Sequence, residues 1–178
     1  HAAQGFAIGV DGSLYWTTGS NQIRMYSNDF EYVATWGGFG SDNGQLDNPG
    51  DLAVDTSGDI YVADRDNYRI QKFSREGVYI GQWGRRGSAE GQFETPGKIA
   101  VSPNGRVYVT DSEINRIQSF DLDGNYESQW AGPGAEQEQF TGIASIAVTH
   151  AFVFVGDGGD RIYKFTNGGE YLTGWGIN

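Results

Sequence analysis

An aspartate followed four or five residues later by an arginine recurs three times, as Asp64/Arg69, Asp111/Arg116 and Asp157/Arg161. A carboxylate and a guanidinium at this separation can meet around one hairpin turn, pair, and hydrogen-bond the backbone between them. In a fourth stretch of the same shape both charges are absent together, with Thr18 and Gln22 in their places. Joint loss predicts a paired structural role, because catalytic carboxylates are seldom repeated in every unit of a fold. Asp121-Leu122-Asp123-Gly124-Asn125 resembles the start of a calcium loop but lacks the distal glutamate, and it falls at a hairpin turn, as does Asp157-Gly158-Gly159-Asp160. Cysteine is absent, and His1 and His150 are the only histidines. No Gly-x-Ser-x-Gly elbow, phosphate loop or His-Glu-x-x-His motif occurs. The expectation is no catalytic residue, no metal and no cofactor.

The elements that hold these residues repeat. Trp36, Trp83, Trp130 and Trp175 stand at intervals of 47, 47 and 45 residues, and Ile23, Ile70, Ile117 and Ile162 keep the same intervals. Two markers with one beat mean four copies of one unit, over approximately 5–49, 50–96, 97–143 and 144–178, within a single domain spanning 1–178. In the second copy, short runs at Leu52–Val54, Ile60–Ala63, Arg69–Phe73 and Val78–Trp83 are separated by turn residues, which predicts four antiparallel strands. The periodic tryptophans are expected to pack between sheets, with Leu46, Phe93 and Phe140 anchoring the connectors. Trp16 breaks the period, standing where the other copies have Val62, Val109 and Val155. The chain opens on a first-type strand and finishes after a fourth-type one, so no exchanged closing strand is expected.

Gly-Gln-Phe, then Pro-Gly-x-Ile-Ala-Val, Val-Tyr-Val-x-Asp, Asn-x-Arg-Ile-Gln-x-Phe and Trp-x, read through Gly91–Trp130 and its copies, resembles the NHL-repeat β-propellers. The resemblance covers almost the whole chain. It implies an all-β propeller built from four NHL-type four-stranded blades. These form either a closed four-blade ring or a partial propeller completed by other chains or missing sequence. Propellers of the family close with about six blades. The related peptidyl-amidoglycolate lyases hold a metal with several axial histidines, a set that His1 and His150 do not supply. RNA binding, which the resemblance also implies, is opposed by a net charge of −11.

Gly makes up 28 of 178 residues, about twice the usual share, which suits many tight turns. No apolar run approaches the roughly 18 residues of a membrane span. Nucleic acid and membrane are therefore disfavoured partners. The expected function is a non-catalytic binding or structural module, a scaffold for protein or other ligand interaction and possible self-assembly. Candidate ligand residues lie in loops that differ between copies: Asn21, Arg65, Asp66, Tyr68, Glu113 and Ile114, and Phe39, Asp42, Arg85, Arg86 and Glu90. A protein partner or self-association is expected, with a small-molecule or glycan ligand left open. The alternative is a divalent-metal-dependent propeller lyase or hydrolase, whose axial ligands would come from Asp51, Lys98, Ser145 and Gln4. His1-Ala2-Ala3, without methionine, suggests a processed or excised chain, and the absent cysteines fit an extracellular or periplasmic setting.

Overall fold

The computed structural model describes residues 5–130, 140 and 142–176. Among the described residues, sixteen strands form four four-stranded antiparallel sheets, each a meander in chain order. The first sheet holds β1 (Phe6–Ile8), β2 (Leu14–Thr18), β3 (Gln22–Tyr26) and β4 (Tyr32–Gly37). The second holds β5 (Pro49–Val54), β6 (Ile60–Asp64), β7 (Arg69–Phe73) and β8 (Tyr79–Trp83). The third holds β9 (Pro96–Val101), β10 (Arg106–Asp111), β11 (Arg116–Asp121) and β12 (Tyr126–Trp130). The fourth holds β13 (Ile143–Val148), β14 (Phe152–Asp157), β15 (Arg161–Thr166) and β16 (Tyr171–Gly176).

Local chemistry sets the hairpins. The turn between the third and fourth strands opens on Ser27, Ser74, Asp121 or Thr166. In each case the side-chain oxygen accepts a backbone N–H four residues on, from Glu31, Val78, Asn125 or Glu170. In the last three sheets the fourth residue of that turn is Gly77, Gly124 or Gly169, with φ of 84°, 85° and 88°. That left-handed conformation costs a glycine little. Asp121-Leu122-Asp123-Gly124-Asn125 is thus a hairpin turn, its first carboxylate held low by the side-chain and backbone donors of Asn125 and the N–H of Asp123.

Stacking the sheets buries three cores. Tyr15, Ile23, Leu46, Leu52, Val62 and Phe73 fill the first joint. Ile70, Phe93, Ile99, Val109 and Phe120 are prominent in the second, and Ile117, Trp130, Phe140, Val155 and Phe165 in the third. Leu46 and Phe93 are fully buried, so these connectors act as plugs between sheets. The innermost strands touch in series, β1 on β5, β5 on β9 and β9 on β13, and no comparable contact joins β13 to β1. Among the described residues the sheets do not close into a ring. Trp175 is accordingly 51% exposed, unlike the tryptophans at the three joints.

Candidate functional site: the axial mouth and its loops

The repeated Asp…Arg marks flank the turn between the second and third strands, but they are wired differently in each sheet. Asp64, fully buried, takes Arg69 Nε at 2.8 Å and also the side-chain amides of Asn67 and Gln71. The rest of the Arg69 guanidinium donates to the carbonyls of Ser41, Asp42 and Gln45 and to Gln82 Oε1. In the third sheet the two charges divide the work. Asp111 accepts the N–H groups of Glu94 and Thr95, while Arg116 donates to the carbonyls of Ser88, Ala89 and Gln92 and to Gln129. Arg116 Nε has no acceptor, so the direct pair expected from the sequence is not formed there. Burial pulls the Arg116 pKa down, against the opposing charge of Asp111.

The fourth sheet departs further. Its turn is one residue shorter, and Asp157 accepts the N–H groups of Gly159 and Arg161 and the Tyr163 hydroxyl. Arg161 is exposed. In the second and third sheets these charges are spent largely on backbone groups of the preceding connector.

The polar groups that do face a cavity sit where the inner strands begin. A cavity of about 300 Å³ is lined by Gly50, Asp51, Arg65, Gly97, Lys98, Ser112 and Ile143. A Cβ on Gly50 would lie 2.9 Å from Cδ of Arg65 and 3.2 Å from the Gly97 carbonyl oxygen, so a side chain there would displace the arginine. At the next inner strand the Thr110 hydroxyl accepts the Lys98 N–H at 2.8 Å, fixing the strand entry. Lys98 Nζ lies 3.9 Å from Asp51 Oδ2, a long contact between two half-buried groups. Burial pushes the Asp51 carboxyl up, opposed by Lys98 and by the N–H groups of Leu52, Ile99 and Phe6. Two cations and one carboxylate line the cavity, so it is locally positive in a chain of net charge −11.

Arg65 is the loop candidate that the fold brings together with Asp51 and Lys98; Ser112 and the two glycines carried no signal in the sequence. Asn21 and Asp66 are joined through Asn48, whose N–H reaches Asn21 Oδ1 at 2.9 Å and whose Nδ2 reaches Asp66 Oδ1 at 3.3 Å. Asp66 also helps burial to raise the pKa of neighbouring Asp47. Arg86 lies over the Tyr68 ring, 5.2 Å from its centroid, and reaches Glu94 at 3.4 Å. Arg85 and Glu113 are exposed. Ser145 is exposed on β13, and Gln4 and His1 lie outside the described residues. Among the described residues no group of three or more His, Cys, Asp or Glu is arranged to hold a metal.

Stacked four-stranded meanders around an axis define a propeller-type protein, and solved structures agree. A streptogramin B lyase aligns with a TM-score of 0.70 at 19% identity, over 98% of this chain and 54% of that one. A virginiamycin B lyase from Staphylococcus aureus gives 0.69 at 17% identity, over 98% and 55%. The WD40 repeats of RRP9 give 0.76 at 10% identity, over 96% and 50%. The chain therefore spans about half the length of these structures, and at such identities the likeness concerns the fold alone. No curated protein matches the chain in sequence. The NHL repeat model matches residues 46–73 and 93–120, so the second and third sheets each carry an NHL repeat.

Proposed function

We propose that the chain is a non-catalytic binding scaffold that seats an acidic group of its ligand in the axial mouth. The observation that carries this reading is the cavity of Asp51, Arg65, Lys98 and Ser112, locally positive in an acidic chain. A guanidinium and an ammonium over a half-buried site suit a carboxylate or phosphate group. The surrounding loops, with Asn21, Asp66, Tyr68, Arg85, Arg86 and Glu113, supply a polar rim for the rest of a protein ligand. An extracellular or periplasmic setting accords with the absence of cysteine.

A divalent-metal lyase or hydrolase is less well supported. A hard cation gathers about 6–8 oxygens with several carboxylates. The cavity offers one carboxylate, with Lys98 beside it repelling a cation. The lyase activities named above belong to those proteins. Immobilised chain and the double variant Arg65→Ala/Lys98→Ala, exposed to extract of the native source, test the proposal. Retained material is expected on the first and lost on the second. Equal retention would refute the axial site, and one tightly held calcium or zinc per chain would revive the enzyme.

A further inference from the structure

Each internal joint has the same lock. Trp36 lies on the third turn of the second sheet, Trp83 on that of the third and Trp130 on that of the fourth. A Cβ on Gly77, Gly124 or Gly169 would stand 2.5 Å from Cδ2 of the visiting tryptophan. The turn glycine is thus needed twice, for its positive φ and for the ring above it. On the visiting side each ring also meets a tyrosine of its own sheet edge to face, Tyr15, Tyr61 or Tyr108. Trp83 and Trp130 further meet Phe120 and Phe165 of the next sheet.

The two outer faces differ in kind. The fourth sheet keeps the visiting half of the lock, with Trp175 beside Phe154 and Ile162, the counterpart of Ile70 and Ile117, half exposed. The first sheet has lost the receiving half. Phe30 N–H reaches the Ser27 carbonyl at 3.0 Å, as Gly77 N–H reaches Ser74 at 2.9 Å, so Phe30 occupies the glycine position. It does so at φ 64°, an uncommon conformation for a bulky residue, and is 75% exposed. Trp16, in place of the valine, stacks on Tyr26 at 4.4 Å, and Tyr26 is the counterpart of Phe120 and Phe165. Arg24 replaces Gln71 and Gln118, the residues that clamp the preceding connector through the N–H groups of Gly44 and Gly91. All three changes fall on the outward face; Tyr15, Ile23 and Trp36 on the opposite face keep the repeat pattern.

We propose that the chain is directional. The fourth sheet is an open joint whose occupant is an NHL-type blade from outside these 178 residues, bearing glycine as the fourth residue of its third turn. The first sheet does not receive such a tryptophan, so the chain neither closes on itself nor joins copies head to tail. The Phe30 side chain and the stacked Trp16–Tyr26 pair fill the space in which a visiting ring would sit. This inference is independent of the axial-mouth reading, since neither Trp175 nor Phe30 lines that cavity.

A copy of residues 40–84 appended after Asn178 supplies such a blade. It is expected to raise the melting temperature by roughly 5 °C and shift tryptophan emission to the blue. The same appended copy with its counterpart of Gly77 changed, Gly77→Phe, is expected to do neither. Light scattering of the unaltered chain should reveal no association that Trp175→Ala removes. Two appended copies that behave alike, or native copies that assemble and fall apart on Trp175→Ala, would overturn the proposal.

Discussion

Arg65 and Arg69 stand at the two ends of one turn and serve opposite ends. Arg69 is buried against Asp64 and spends its guanidinium on three carbonyls and a glutamine of its surroundings. Arg65 points its stem over Gly50 and lines the axial cavity beside Lys98. Four residues apart, the same kind of side chain is scaffold in one place and cavity lining in the other. The difference comes from which backbone groups lie within reach. A connector that brings carbonyls to an arginine consumes it, whereas an inner-strand entry made of glycine leaves room beside it.

Removing a buried ionic partner should have the largest effect on this contrast. Arg69→Ala is expected to cost about 3–5 kcal/mol in urea unfolding, because Asp64 is left charged and buried. Arg65→Ala, at the rim of a cavity, should cost clearly less in the same assay. Equal losses would erase the distinction. Next in size is the blade lock: Gly124→Ala should lose about 1–3 kcal/mol by driving a methyl into Trp83. Gly91→Ala, also at positive φ but with nothing within 4 Å of its Cβ, should lose only about 1 kcal/mol, by the same unfolding assay.

Smaller effects come from pH, and they have opposite signs. The Asp121 pKa is lowered by Asn125, so its folded-state contribution is present above the ordinary aspartate value and is lost as pH falls through the depressed one. Asp51 is raised by burial, so its contribution is complete below the ordinary value and is lost as pH rises through the raised one. Stability profiles of Asp121→Ala and Asp51→Asn against the unaltered chain between pH 2 and 6 should therefore diverge in opposite directions. Two differences of the same sign would contradict the assigned environments.

The architecture was legible because the repeat imposes itself on side-chain type. Trp36, Trp83 and Trp130 lie in joints, as the period required, and Leu46 and Phe93 plug the connectors. The inner strand of the second sheet opens at Pro49, three residues before the apolar run Leu52–Val54, and Pro96 and Ile143 open its counterparts. The wiring of the Asp…Arg belts was not legible. Small shifts of the connector decide whether an arginine finds a carboxylate, as Arg69 does, or carbonyls without one, as Arg116 does, and they leave no mark in the sequence. The axial cavity was half visible. Asp51 and Lys98 could be placed by strand type, and Arg65 by its variable loop. Ser112 and the glycines at 50 and 97 gain meaning only once three inner strands converge. Phe30 was hidden because its turn reads as an ordinary polar loop until it is superposed on three glycine turns.

Amide hydrogen exchange of the chain, alone and bound to the material it captures from its native source, probes the axial-mouth reading most directly. The account predicts slowed exchange in peptides covering residues 49–53, 65–68 and 96–99, with little change at the outer strands β8 and β12. Slowing confined to the outer strands, with the entries at Gly50 and Gly97 unaffected, would contradict it.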